Sequence, residues 1–185
     1  GQHIEVLKLE EFGPSLFIDS ELQVAEKDEK KYSGQFVGSA LNLSKNNSSA
    51  AIIGGGDGGV ARELSSKGFD LIDWYELDPE VVKVCQKHLL KVCGDIKANN
   101  KVKTYWGDAF ESIKKVKNSK YDKIFVDLND DQFCIDLAAK NIKSLKRILK
   151  PNGTITAQVG SQDKKPKQVD KWLNLFEKSF GNTSL

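Results

Sequence analysis

A glycine-rich loop followed by an acid is the part of this sequence best suited to chemistry. Residues 54–59 read Gly-Gly-Gly-Asp-Gly-Gly, directly follow an apolar strand-like run and open a helix. Glycines in this position let the backbone approach a ligand closely. Glu76 ends the next strand-like run, where an acidic side chain accepts hydrogen bonds from ribose hydroxyls. The pattern predicts a site for a dinucleotide or an S-adenosylmethionine-type ligand, formed by Gly54, Gly55, Gly56, Asp57 and Glu76.

The charge of Asp57 separates these two ligands. A carboxylate inside the loop repels a diphosphate, whereas sulfonium and ammonium groups gain from it where water is partly excluded. Asp108 and Ala109 follow a third strand-like run. They offer an acceptor for an adenine amino group and an apolar wall for its ring. Asp108 equally suits the N-cap of the next helix, and the two roles are compatible.

Strand and helix signals alternate from residue 50 onward, which favours a parallel sheet covered by helices on both faces. Right-handed crossovers make a doubly wound, Rossmann-like sheet the natural α/β topology. The predicted strands are 50–53, 71–76, 102–106, 121–127 and 154–159, and the predicted helices are 60–67, 79–92, 109–116, 133–149 and 169–180.

The beginning of the chain follows a different pattern. Short strand-like runs at 4–9, 15–18 and 22–25, separated by turn residues, predict a small antiparallel β cap. A helix at 28–43 and a polar linker at 44–49 lead into the first parallel strand. We therefore divide the sequence into a cap, residues 1–27, and a Rossmann-like catalytic domain, residues 28–185.

Composition argues against several other classes of protein. The formal net charge of +2 carries no signature of nucleic-acid binding. No apolar run approaches the roughly 20 residues needed to span a membrane. The three cysteines lack the spacing of a zinc site or a disulfide framework, so no metal is expected and the thiols are predicted to be reduced. The lysine-rich run 164–167 is predicted to be a solvated surface.

Several segments resemble the polyamine aminopropyltransferases, the family of spermine and spermidine synthases. The loop at 54–59 is identical to the Gly-Gly-Gly-Asp-Gly-Gly of that family. Similar segments lie at 2–4, 23–29, 75–78 and 107–110. The resemblance implies a class I methyltransferase-like fold and transfer of the aminopropyl group of decarboxylated S-adenosylmethionine to a polyamine, with release of methylthioadenosine.

That reaction needs a base. A polyamine nitrogen with a Lys-like pKa near 10 has a free lone pair in only about one molecule in a thousand at neutral pH. Its proton must be removed as it attacks. Asp127 lies at the carboxyl end of the fourth parallel strand, resembles the catalytic aspartate of the family and is the candidate base. The resemblance further assigns Gln2 to donor binding, and Tyr32, Asp130 and Gln158 to acceptor binding.

The resemblance also implies a cytoplasmic homodimer that needs no cofactor beyond its nucleoside co-substrate. Within the family, residues 90–96 resemble the Lys-Thr-Cys-Gly-Asp-Val segment of animal spermine synthases, which favours spermidine as acceptor. Asp127-Leu128-Asn129-Asp130 keeps the second acid of spermidine synthases but lacks their proline. Putrescine therefore remains the alternative acceptor.

Two other functions stay open from the sequence. An S-adenosylmethionine-dependent methyltransferase would use the same fold, although the ligand carboxylate would lie near Asp57. A catalytically dead nucleoside-binding paralogue is disfavoured by Asp127 and Tyr32. The absence of methionine and the start at Gly1 indicate an excerpt of a longer chain. Residues 1–185 depart from the family pattern in two ways, since they include neither its two C-terminal antiparallel strands nor the N-terminal dimerisation domain of animal spermine synthases.

Overall fold

The computed structural model describes residues 2–185 and forms two β-sheets connected and covered by helices. Gly1, the first residue of the predicted cap, lies outside the described residues. The strands are β1 Ile4–Leu9, β2 Gly13–Ile18, β3 Glu21–Ala25, β4 Ser49–Gly54, β5 Leu71–Glu76, β6 Val102–Trp106, β7 Tyr121–Asp127 and β8 Leu149–Ala157. The helices are α1 Glu26–Leu43, α2 Gly59–Ser66, α3 Pro79–His88, α4 Leu90–Cys93, α5 Ala109–Ile113, α6 Gln132–Ile148 and α7 Pro166–Phe180, with a 3₁₀ turn at Ile96–Ala98.

The first three strands form the antiparallel sheet that the sequence predicts, in the order β1-β2-β3. Asp19 and Ser20 connect β2 to β3 with φ values of 50° and 67°. Positive φ at both positions is typical of the tight hairpin turns that match strand twist. The apolar face of this sheet packs on Val81 and Cys85 of α3, which places the cap beside the larger sheet.

The second sheet has five parallel strands in the order β6-β5-β4-β7-β8. One of its faces packs against α1 and α2, through residues such as Val37 and Leu64. The other packs against α5, α6 and α7, through residues such as Ile113, Leu145 and Trp172. The predicted fold class is therefore confirmed. Because the direction of winding changes between β4 and β7, a crevice opens at the carboxyl ends of these strands, where ligands of such sheets bind.

The last strand differs from its prediction. β8 begins at Leu149, inside the predicted helix 133–149, and ends at Ala157 rather than 159. Pro151 disfavours helical geometry at the residue before it, and Leu149 pairs instead with Tyr121 of β7. The sequence Pro-Asn-Gly at 151–153 lies within β8, where the pairing with β7 shifts between Tyr121 and Lys123.

Two predicted helices are also shorter than expected. The helix predicted at 79–92 is interrupted at Leu89, which has φ −129° and ψ 44° and separates α3 from α4. Leu89 is fully buried in the cluster that joins the cap to α3, so tertiary packing overrides helical propensity there. α5 ends at Ile113 rather than 116.

No helix within residues 2–185 is both long and apolar enough to cross a membrane.

Candidate active site

The glycine loop turns directly over the end of β7. Gly54 pairs with Asp127 in the parallel ladder, and the amide of Gly55 donates a hydrogen bond to the carbonyl oxygen of Asp127 at 3.0 Å. Both glycines have positive φ, 84° and 70°. A Cβ on Gly54 would overlap with that carbonyl, and one on Gly55 would lie 3.0 Å from Asp127 Oδ2. Glycine is needed here because the backbone is in contact with Asp127.

Asp57, at the tip of this loop, accepts a hydrogen bond from the backbone N–H of Gly59 at 2.6 Å. Burial, followed by the negative charge of Asp127, raises the pKa of Asp57 to about 8, although the Gly59 hydrogen bond acts in the opposite direction. At neutral pH most molecules therefore carry this carboxyl protonated. The sequence predicts a negative charge at Asp57 in the loop. The raised pKa means that Asp57 is ionised where a cation or a higher pH stabilises its charged form.

Glu76 lies beside the loop, as predicted. Its side chain is 8% exposed and its Oε1 accepts a hydrogen bond from the N–H of Asp78 at 2.9 Å. Its Oε2 lies 3.2 Å from the position that a Cβ on Gly56 would take. Burial raises the pKa of Glu76, and the two backbone hydrogen bonds that it accepts oppose this rise. The ribose-type acid and the glycine loop are thus in contact.

Asp108 and Ala109 lie at the same edge of the sheet. Gly107 donates a backbone hydrogen bond to the carbonyl of Glu76 at 3.0 Å, which holds this turn next to the end of β5. Asp108 Oδ1 accepts from the amides of Phe110 at 2.8 Å and Glu111 at 3.2 Å. It is therefore the N-cap of α5, the compatible alternative considered from the sequence. Ala109 is the first residue of that helix.

Tyr32 of α1 reaches Asp127 from the opposite side. Its hydroxyl donates a hydrogen bond to Asp127 Oδ1 at 3.3 Å, across 95 residues of sequence. Burial raises the pKa of Asp127 to about 6, the Tyr32 hydrogen bond lowers it, and the charges of Glu76 and Glu29 raise it. Burial and the Asp127 charge raise the pKa of Tyr32, so its hydroxyl remains a donor. We call the Asp127 carboxylate, which accepts this hydrogen bond from Tyr32, the tyrosine-held carboxylate.

The three residues predicted to bind the acceptor share one cleft of about 740 Å³, which we call the Tyr32 cleft. Asp130 accepts a hydrogen bond from the Lys165 ammonium at 2.9 Å. The side-chain oxygen of Gln158 is buried without a hydrogen-bond partner within residues 2–185. The run 164–167 is exposed, as predicted, and Lys164 and Lys165 of this run also line the cleft. The Tyr32 cleft is lined by Tyr32, Phe36, Asp130, Gln158, Gly160 and Lys165, among others.

Gln2 is the predicted donor residue that the structure does not bring into this cluster. It is exposed, and one residue, His3, separates it from the start of β1. No hydrogen bond within the described chain joins its side chain to the glycine loop or to the acids of the site.

A buried ion pair beneath the loop was missed by the sequence reasoning. Glu29 of α1 is 2% exposed and pairs with Arg62 of α2 at 2.5 Å. It also accepts a hydrogen bond from Ser33, and Arg62 donates to the carbonyl of Val92. A Cβ on Gly59 would overlap with both Glu29 and Ser33. Glu29 lies in a charge-rich segment of α1, whose sequence gives no sign that this one acid is buried.

The parallel sheet brings the glycine loop, Glu76 and the tyrosine-held carboxylate of Asp127 together at one edge, which is the arrangement of a Rossmann-like α/β protein. The family model described as the spermine/spermidine synthase domain matches residues 29–185. The chain therefore belongs to this family, and the resemblance drawn from its motifs is confirmed.

Curated relatives and solved structures agree with this assignment. A polyamine aminopropyltransferase of Prochlorococcus marinus strain MIT 9312 is 34% identical over 165 residues, which cover 88% of this chain and 58% of that protein. One of Clostridium botulinum strain Eklund 17B is 35% identical over 130 residues, 70% of this chain and 45% of that protein. The chain thus spans about half the length of these relatives.

Two solved structures share the fold. One is spermidine synthase from Thermotoga maritima, with a TM-score of 0.88 and 22% identity, covering 98% of this chain and 62% of that one. The other is a spermidine synthase in complex with the transition state analogue AdoDATO, with a TM-score of 0.86 and 21% identity, covering 98% and 61%. At this level of identity the likeness shows the fold alone.

The packing of Gly59 on Glu29 gives a stability prediction. Gly59→Ala should lower the free energy of unfolding by about 1–3 kcal/mol, the usual cost of overpacking, because the new methyl displaces the buried carboxylate. Gly38→Ala is the matched control, since Gly38 also lies in a helix and has nothing within 4 Å of its added Cβ. The control should be stabilised by roughly 0.5–1 kcal/mol. Urea denaturation followed by circular dichroism compares them, and equal stabilities would contradict the packing described.

Proposed function

We propose that this chain is the catalytic core of a polyamine aminopropyltransferase that transfers the aminopropyl group of decarboxylated S-adenosylmethionine to spermidine. The observation that carries the proposal is the contact of Tyr32 with Asp127 at the point where the glycine loop crosses β7. A base is thereby held at the edge of a nucleoside site. Nucleoside binding alone gives no reason for such a base.

Asp127 would act on the acceptor amine. The amine nitrogen attacks the carbon next to the sulfonium, the carbon–sulfur bond breaks, and its electron pair stays on sulfur in methylthioadenosine. The acceptor nitrogen is an ammonium without a free lone pair at neutral pH, so Asp127 removes one of its protons as the attack begins. The product nitrogen stays protonated as a secondary ammonium, and Asp127 returns its proton to the solvent. The pKa of about 6 keeps Asp127 ionised at neutral pH, while the Tyr32 hydroxyl fixes the orientation of the carboxylate.

The donor would lie along the edge formed by the glycine loop, Glu76 and Asp108. Glu76 has a buried carboxyl suited to ribose hydroxyls. Asp57 suits the cationic end of the donor, because a sulfonium and an ammonium stabilise its ionised form. S-adenosylmethionine would bring a second carboxylate towards the same acid, which disfavours methyl transfer.

The proposal extends to the protein as a cytoplasmic homodimer that needs no cofactor apart from its co-substrate. These properties follow from the family resemblance.

Donor binding should depend on charge and on pH. At pH 8, decarboxylated S-adenosylmethionine should bind at least about tenfold more tightly than S-adenosylmethionine, a difference of about 1.4 kcal/mol. Because the cation favours ionised Asp57, whose pKa is about 8, affinity should rise from pH 6 to pH 8 and then level off, with proton uptake by the buffer below pH 8. Isothermal titration calorimetry in buffers of different ionisation enthalpy measures both effects.

Two controls accompany the donor titration. Asp57→Asn should abolish the pH dependence, and neutral methylthioadenosine should show little of it with the unchanged protein. Tighter binding of S-adenosylmethionine than of its decarboxylated form would instead favour a methyltransferase.

Replacing the base should separate binding from chemistry. Asp127→Asn should lower turnover by about 10²–10⁴, the range for one positioned base, while donor affinity stays within a small factor. In the unchanged protein, turnover should fall as pH drops through about 6, where Asp127 becomes protonated. The pH profile of Asp127→Asn should not show this fall. Asp131→Asn is the control, because Asp131 caps α6 through the amide of Cys134 and should affect stability without a loss of this size in turnover. Wild-type turnover in Asp127→Asn would reject the mechanism.

The choice of acceptor is tested by competition. Spermidine should be consumed faster than putrescine when both are offered at equal concentration with saturating decarboxylated S-adenosylmethionine. The support is the likeness of residues 90–96 to spermine synthases and the absence of the proline that follows the second acid in spermidine synthases, where this chain has Asp131. Preference for putrescine in a chromatographic product assay would assign the protein to spermidine synthesis.

A further inference from the structure

The ion pair between Asp130 and Lys165 joins two loops at the mouth of the Tyr32 cleft. Asp130 lies between β7 and α6, and Lys165 immediately precedes α7. The Asp130 side chain is 19% exposed, whereas that of Lys165 is 49% exposed. Gly160 has φ +83°, and a Cβ there would overlap with Asp130 Oδ2. The carboxylate is thus seated against the backbone, and the ammonium reaches it from the solvent side.

The helix that follows Lys165 does not favour a positive charge there, although the charges of Glu21 and Asp131 add to the favourable effect of Asp130. Lys165 is the N-cap of α7, and the first turn of that helix contains no acid. A positive charge at a helix N-terminus is repelled by the helix dipole, and Lys164 and Lys167 add further positive charge nearby. The hydrogen bond and the charge of Asp130 raise the pKa of Lys165, so its side chain stays cationic. Asp130 offsets an arrangement that the helix itself disfavours.

The chemistry of this contact matches that of a polyamine. Lys165 presents a primary ammonium on a flexible four-carbon chain to a carboxylate in the Tyr32 cleft, and Tyr32 itself contacts the candidate base Asp127. Polyamines present primary ammonium groups on chains of similar kind. An exposed lysine–carboxylate pair is weak, because solvent screens it and side-chain entropy opposes it. A soluble ammonium can therefore displace Lys165 from Asp130.

We propose that Lys165 is an internal competitor for the acceptor subsite at Asp130, so that it weakens the binding of acceptors with two or more ammonium groups. This inference rests on the proposed function. The reacting nitrogen would lie at Asp127, and a second ammonium of the acceptor would replace Lys165 at Asp130. Three residue steps separate the two acids, so their Cα atoms lie within about 11 Å of each other. A monoamine has no group for Asp130 and would not sense Lys165.

The test is the affinity for acceptor amines in the presence of saturating methylthioadenosine, measured by calorimetry at low ionic strength. Lys165→Ala should bind spermidine about three- to fivefold more tightly than the unchanged protein, the scale of one exposed ion pair. Butylamine, with a single ammonium, should show no change. Lys165→Arg keeps the charge and should retain the affinity of the unchanged protein. Lys167→Ala removes a charge from the same run outside the Tyr32 cleft and should have no comparable effect.

A double-variant cycle completes the experiment. In the Asp130→Asn background, Lys165→Ala should no longer tighten spermidine binding, because the contested carboxylate is gone. If Lys165→Ala leaves spermidine affinity unchanged or weakens it, Lys165 supports the cleft and does not compete, and the inference is overturned while the proposed function stands. If neither the unchanged protein nor Lys165→Ala binds spermidine or transfers an aminopropyl group, the proposed function fails together with the inference.

Discussion

The parallel pairing of β4 with β7 is the constraint on which the candidate site depends. It places Gly54 opposite Asp127, so the chain that leaves β4 must turn in contact with the carbonyl and carboxyl groups of that residue. The register is strongly specified, because residues 50–53 of β4 are fully buried on both faces of the sheet. A shift of one residue in the pairing of β4 would turn each of its side chains to the opposite face of the sheet. The same turn then begins α2 at Gly59, directly over the buried Glu29.

Acids accumulate around this turn with little compensating charge. Glu29 is neutralised by Arg62, but Asp57, Glu76 and Asp127 have no ion-pair partner within residues 2–185. Burial raises the pKa of each of these three. Such an arrangement costs folding free energy, since every ionisation in the site is opposed by desolvation and by neighbouring charge. A proposed ligand that brings positive charge to this edge of the sheet would offset part of that cost.

Under the proposed function, two substrates bring positive charge to the acids at this edge of the sheet. The sulfonium end of the proposed donor suits Asp57, and the ammonium groups of the proposed acceptor suit Asp127 and Asp130. The protein supplies a third source in Lys165. Because the Asp130–Lys165 pair connects the loops after β7 and β8, the occupancy of Asp130 is coupled to the position of the segment that begins α7. The charge balance at Asp130 and the geometry of these two loops are therefore linked.

The sequence by itself determined the parallel sheet, the glycine loop and the acids at the strand ends, because these depend on local periodicity and on the rule that parallel strands end at one edge. It also supplied the motifs that identify the family. It did not determine where β8 starts or why α3 ends at Leu89, since long-range pairing with Tyr121 and burial against the cap decide these points. Tertiary structure alone brought Tyr32 to Asp127 across 95 residues, buried Glu29 beneath Gly59, and seated Lys165 on Asp130. Such contacts depend on side-chain packing between distant segments, which the pattern along the chain does not encode.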